Sequence, residues 1–300
     1  MNLAKVSNYI GRFAPSPTGS LHLGSLYAAL ASFLHAHANN GKWLLRIDDL
    51  DHYRNAPGAS DSIIHTLDSY GLHWDEPIYY QSKHQESYHT VVDQLKKQHL
   101  VYPCSCSRKM LSPYSSSIYP GFCLKTQINH QDLPHSLRIK SQAIDMIFED
   151  QLQGTHNCAI ASDHGDFIIS RKDHIIAYQL AVVIDDYQQN ITHIVRGFDL
   201  LDSTPKQIFL QQLLTYPTPQ YCHFPVITGK NDVKLSKQNL AQAVSTEKPE
   251  KTLFLLLELL NQNPPPQLKK ASIKELLDWA IAHWQVAPLK KIRAIKQQII

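Results

Sequence analysis

The sequence predicts an α/β fold, a parallel sheet wound with helices, interrupted by one irregular insertion and followed by a short helical region. Three observations lead to it. The first is a strand, loop, helix, strand succession near the start: residues 8–13 (NYIGRF) and 43–47 (WLLRI) are short apolar runs flanking residues 25–38 (SLYAALASFLHAHA), whose Ala/Leu content and apolar spacing argue a helix. Strands joined through a crossover helix pair in parallel, and ligands bind beyond their carboxyl ends. The second is that residues 59–70 (ASDSIIHTLDSY) and 85–98 read as amphipathic helices, the first closed by Gly71 in the C-cap role. The third is the return of dense apolar strand or helix at 175–185 (IIAYQLAVVID) and 191–195 (ITHIV), after a stretch at 103–135 rich in Cys, Ser, Pro and Tyr with no sustained periodicity. Beyond residue 240 come a Leu-rich helix, a hinge at 264–266 (PPP) and two short helices.

Length and composition narrow the function classes. Three hundred residues suffice for about two domains and a sizeable core. With 43% hydrophobic and 18% charged residues, disordered, collagen-like and coiled-coil classes are excluded. The longest apolar run, TLFLLLELL at 252–260, carries Glu258 and falls short of the ~18 residues of a membrane span. The first residues, MNLAKVSNYIGRF, have no apolar core of signal-peptide length, so the expected compartment is the cytoplasm. Five Cys are an odd number for a disulfide framework, and three crowd into 104–123, which suggests metal. The formal charge is only +3, yet residues 269–300 hold seven Lys/Arg against two acids, a basic surplus open to a polyanion such as RNA or to a solvated helix face.

Two segments carry the chemistry. Residues 12–24 read RFAPSPTGSLHLG: a strand ends in a Pro- and Gly-punctuated loop opening into a helix with His22 near its start. A helix N-terminus offers unpaired N–H groups and a positive dipole end to polyphosphate, and Gly19 and Gly24 let a nucleotide lie against backbone. More than 200 residues on, residues 234–237 (KLSK) place two lysines in a polar loop able to clamp phosphates.

Together these segments resemble the class I aminoacyl-tRNA synthetases, with His22-Leu23-Gly24-Ser25 in the place of that class's first signature and Lys234-Leu235-Ser236-Lys237 in the place of its second. The resemblance implies a Rossmann-like catalytic domain and adenylate formation, in which an amino-acid carboxylate attacks the α-phosphate of ATP, with Mg²⁺ as companion. His22, Lys234 and Lys237 would stabilise transition-state charge, and Pro15, Gly19, Gly24 and Ser236 would complete the ATP site. RFAPSPTG followed by RIDDLD at 46–51 and Arg54 resembles the glutamyl branch. Arg12 and Arg196 (in HIVRGFD) then fit the cations for a side-chain carboxylate, Asp48 the acceptor of the α-ammonium, and Ala14, Ser16 and Tyr178 (in IAYQLAVVIDD) the rest of a glutamate pocket. Asp48 stands where the family usually has Glu, one methylene shorter; a bridging water or a backbone shift is the expected compensation.

Cys104, Cys106 and Cys123 offer three thiolates, and a structural zinc takes four tetrahedral ligands. Tyr114, Tyr119, His99 and His130 are near in sequence, Cys158 and Cys222 more distant; the resemblance favours Tyr119. Only 63 residues follow Lys237, too few for a large helical anticodon-binding module, so the resemblance is to a truncated paralogue of the glutamyl branch. GLHWDEP at 71–77 and KLSKQN at 234–239 support that match. Expected boundaries are 1–102 and 136–240 for the two halves of the catalytic domain, 103–135 for the zinc insertion and 241–300 for the C-terminal region. The implied activity is tRNA-independent activation of L-glutamate and its transfer to the queuosine base in the anticodon of tRNA(Asp), by a monomer that contacts no membrane, with residues 290–296 adding affinity for tRNA. An ordinary synthetase charging tRNA(Glu) and a non-catalytic tRNA-binding paralogue are the rival readings.

Overall fold

The computed structural model describes residues 8–114, 118–125, 134–229 and 242–296. Strand β1 (Ile10–Phe13) leads through a loop into helix α1 (Leu23–Ala38) and strand β2 (Lys42–Ile47), which pairs in parallel with β1, the predicted unit. Helix α2 (Ala59–Ser69) ends at Gly71, whose φ of +70° admits the left-handed turn and whose missing Cβ leaves room for Ile273 and Leu277. Strand β3 (Tyr79–Tyr80) extends the sheet beyond β2, and helix α3 (Gln85–Lys97) follows.

Strand β4 (Val101–Cys104), the single turns α4 (Arg108–Leu111) and α5 (Phe122–Lys125), strand β5 (Ser136–Ile139), the antiparallel pair β6 (Asp145–Asp150) and β7 (Gly154–Ala159), and strand β8 (Ile168–Ser170) come next. β4, β5 and β8 form a separate three-stranded antiparallel sheet. The chain then returns through α6 (Tyr178–Gln188), β9 (His193–Gly197), α7 (Thr204–Leu213), β10 (Gln220–Phe224) and β11 (Val226–Thr228). The segment at 175–185, open between strand and helix in the sequence, is helix from Tyr178.

β9 lies beside β1, with Thr192 N donating to Ile10 O at 2.9 Å, while β10 and then β6 follow β9 in parallel on the other side. The winding therefore reverses between β1 and β9. Alternate residues of the strands feed two cores: Trp43, Leu45, Val195 and Cys222 pack with α1, and Leu44, Ile194 and Tyr221 with α3, α6 and α7. Both faces are covered, as a parallel sheet requires.

Helices α8 (Pro249–Leu259) and α9 (Ile273–Ala282) lie against the α1 side, α9 opened by a capping box between Ser272 and Glu275. Short helical segments follow the Pro hinge as expected, and residues Ala294–Lys296 add a strand that the sequence did not reveal, β12, parallel to β11. No helix among the described residues is long and apolar enough to cross a membrane.

Candidate active site

Where the winding reverses, the carboxyl ends of β1 and β9 part and leave a crevice, the general ligand position in such sheets. A cavity of about 220 Å³ opens there, lined by Arg12 on β1 and Ala14 just after it, His22 and Gly24 at the start of α1, Asp48 after β2, Tyr178 at the start of α6 and Arg196 on β9. Ser16 lies in an adjoining cavity of about 70 Å³, which Asp48 and Tyr178 share. Pro15 accepts a hydrogen bond at its carbonyl from Asp48 N at 3.0 Å, tying the two loops together. Gly19 has φ +139°, a backbone conformation that side chains disfavour.

His22 caps α1: its Nδ1 accepts from Ser25 N at 3.2 Å, which leaves the neutral ring's proton on Nε2 as a donor. Lys234, Ser236 and Lys237 lie outside the described residues. Their flanks do not: Val226 and Ile227 line the cavity, and on the far side of the signature Ala243 bridges His22 while Val244 N donates to Leu21 O at 2.9 Å.

Beneath the cavity floor two guanidinium groups meet three carboxylates. Arg12 Nε donates to Asp186 Oδ1 at 3.0 Å, Arg46 Nη1 to the same oxygen at 2.6 Å, and Arg46 Nε to Asp48 Oδ1 at 2.8 Å. Asp185 faces Arg46 at 3.9 Å and accepts from Tyr79, Tyr88 and Gln81. Burial raises Asp48 to about 6 against the pull of Arg46. Burial also raises Asp185, whereas for Asp186 the two guanidinium groups outweigh burial and lower it. Ionised throughout, the cluster carries one negative charge in excess, suited to an ammonium.

Arg196 is 6% exposed. Its Nε donates to His223 Nε2 at 2.9 Å and its Nη2 to Thr204 Oγ1 at 2.9 Å, while Nη1 is buried with no hydrogen-bond partner among the described residues. A buried guanidinium N–H left open beside a cavity is costly unless a ligand takes it. Both arginines singled out in the sequence line the cavity: Arg12 bonds Asp186 through Nε and Nη2, and Arg196 has a buried Nη1 with no hydrogen-bond partner among the described residues. Sequence reasoning missed Arg46, Asp185, Asp186 and His223. The adjoining acids at the end of an otherwise apolar helix were the available signal, since buried carboxylates require cations.

In the insertion, the sulfurs of Cys104, Cys106 and Cys123 lie within 4.8 Å of one another. The Tyr119 hydroxyl sits 3.4 Å from Cys104 Sγ and 3.3 Å from Cys106 Sγ, and accepts from Cys123 N at 2.9 Å. Arg138 Nε also donates to Cys104 Sγ at 3.3 Å. Three sulfurs and an oxygen around one point match a tetrahedral zinc set.

Residues 10–263 match the family model for the catalytic domain of class I tRNA synthetases of the E and Q type. The chain is 43% identical over 297 residues to the glutamyl-Q tRNA(Asp) synthetase of Pseudomonas fluorescens, covering 99% of each chain. It is 45% identical to the enzyme of the same name from Methylococcus capsulatus over 287 residues, 96% of this chain and 95% of that one. In fold it is similar to a glutamate tRNA ligase of Elizabethkingia meningosepticum solved with its amino acid (TM-score 0.79, 22% identity, 96% of this chain and 67% of that one). The chain belongs to the glutamyl-Q tRNA(Asp) synthetase family, within the class I tRNA synthetases for glutamate and glutamine.

Proposed function

We propose that this protein activates L-glutamate with ATP in the absence of tRNA and transfers the glutamyl group to the queuosine base in the anticodon of tRNA(Asp). The single observation that carries the amino-acid reading is that one small cavity is lined both by Arg196, whose Nη1 has no hydrogen-bond partner among the described residues, and by Asp48 of the net-anionic cluster. A side-chain carboxylate and an α-ammonium are the groups that such walls bind. The acceptor is carried over from the relatives' name.

In this mechanism Arg196 receives the side-chain carboxylate, the Arg46-bound Asp48 receives the ammonium, and Tyr178 and Ser16 close the pocket beside it. The α-carboxylate is thereby directed toward His22 and the N-terminal N–H groups of α1, where the triphosphate lies. The carboxylate oxygen bonds to the α-phosphorus as the bond to the bridging oxygen breaks, and pyrophosphate departs. His22 donates to phosphate oxygens through Nε2, and Lys234 and Lys237 neutralise developing charge, an electrostatic role. Mg²⁺ accompanies the triphosphate and screens its charge.

Zinc would be held by Cys104, Cys106, Cys123 and Tyr119, where it supplies folding energy by joining α5 and the 119–123 segment to β4. We take the protein to act as a cytoplasmic monomer. The test of the acceptor is incubation with labelled glutamate, ATP and either queuosine-bearing tRNA(Asp) or tRNA(Glu), followed by nuclease digestion. Label on the modified anticodon nucleoside supports the reading; label on the 3′-terminal adenosine of tRNA(Glu) overturns it.

A further inference from the structure

We propose that His223 and Asp150 are positioning residues for glutamate recognition: they form a relay across the sheet that fixes the Arg196 guanidinium in the cavity wall. This rests on the reading of Arg196 as the side-chain carboxylate's partner.

The relay takes one residue from each of three adjacent strands, Asp150 at the end of β6, His223 on β10 and Arg196 on β9, with His223 and Arg196 direct partners in the β9–β10 register. Asp150 is 2% exposed and His223 fully buried. An arginine Nε only donates, so His223 Nε2, 2.9 Å away, must be the unprotonated acceptor nitrogen. The proton of the neutral ring is then on Nδ1, which donates to Asp150 Oδ2 at 2.6 Å. Thr204 agrees with this tautomer, because its hydroxyl accepts from Arg196 Nη2 and lies 3.2 Å from His223 Nε2, to which it can donate. Burial, with the adjacent Arg196, holds His223 down at about 4 despite its bond to Asp150, so the ring stays neutral.

Asp150 cannot rotate away. Its Oδ1 accepts from Leu152 N at 3.0 Å and Gln153 N at 2.8 Å, and its Oδ2 accepts from His223 N at 3.1 Å as well as the ring. Every acceptor site faces a donor. An amide here must turn its NH₂ either against two backbone N–H groups or against the ring; the second forces the imidazole proton onto Nε2, where it opposes Arg196 Nε. The guanidinium's other hydrogen-bond partners, Thr204 and the Leu200 carbonyl, hold only Nη2, and its carbon lies 5.5 Å from the centre of the Tyr221 ring. Without the imidazole acceptor, Nη2 keeps the only directional bonds, and the plane can turn over the ring.

The test is tRNA-free ATP–pyrophosphate exchange by the full chain, with glutamate and ATP varied separately. His223→Leu and Asp150→Asn each raise the KM for glutamate about 10- to 100-fold, equivalent to about 1.4–2.7 kcal/mol, while the KM for ATP stays within about twofold. His223→Gln, whose carboxamide oxygen can accept from Arg196 Nε, restores the glutamate KM to within about fivefold of the parent. Unchanged glutamate KM in His223→Leu and Asp150→Asn, or equal rises for both substrates, overturns the relay. Should either variant fail to fold, ¹⁵N spectra of the histidine-labelled parent decide, with His223→Gln assigning the signal: a proton on Nδ1 supports the relay, and a proton on Nε2 excludes it. Arg196→Ala separates the two levels. If it too leaves the glutamate KM unchanged, the pocket reading itself fails; if it alone raises that KM, the pocket stands and the relay falls.

Discussion

Arg46 holds Asp48 by a 2.8 Å bond from Nε to Oδ1, so the shorter acid at this position is anchored to the sheet by a neighbour two residues away. The same guanidinium is itself fixed by Asp186 at 2.6 Å. Asp48 therefore presents a preset oxygen to the cavity.

Burial raises Asp48 to about 6, and only the ionised form accepts an ammonium. Protonation thus competes with glutamate: binding is full above that value and weakens as pH falls through it, with the KM for glutamate rising about tenfold per pH unit below 6. Asp48→Asn raises the KM at pH 7.5 by about tenfold or more and abolishes this acid limb. An acid limb of unchanged position in the variant assigns the titration to another group.

Zinc analysis of protein purified without chelator is expected to give one metal per chain, lost in Cys106→Ser. Removal by a strong chelator lowers the melting temperature by on the order of 5 °C and leaves the KM for glutamate unchanged, because the Cys cluster lies on the β4–β5–β8 sheet and not at the cavity. Full metal content in Cys106→Ser counts against the ligand set.

The basic residues near the end of the chain flank β12, and Lys290, Lys291 and Arg293 are exposed. Arg293 stacks its guanidinium 5.4 Å from the centre of Phe198, one residue beyond Gly197 of the cavity wall. Arg293 thus lies near the cavity wall, and the three cations are the ones expected to meet RNA phosphates. Reversing all three charges should lower the slope of log affinity for tRNA against log salt by about 2 to 3. An unchanged slope removes them from the tRNA interface.

Much of this was legible because it is local. The β1–α1–β2 unit follows from apolar periodicity, and α1 begins at a histidine that caps it through its own ring. The α6 segment resisted because its middle, Leu180 to Asp186, is buried without a break, a run that periodicity alone does not separate from a strand. β12 escaped because three residues, Ala294–Lys296, acquire strand geometry only by pairing with β11 some 65 residues earlier. The charge cluster escaped for the same reason: Arg12 and Asp186 are 174 residues apart and Arg196 and His223 27 apart. Motif position identifies Arg12 and Arg196 as cations, but only the fold shows that Asp186 is bonded to one and His223 to the other.

The central claim is that one cavity joins a triphosphate to an acidic amino acid without help from RNA. Pyrophosphate exchange measured with glutamate, ATP and Mg²⁺ in tRNA-free solution tests it most directly. Robust exchange is expected that requires glutamate, is not supported by glutamine, and is lost in Arg196→Ala. Exchange that appears only when tRNA(Glu) is added, or that proceeds equally with glutamine, would contradict it.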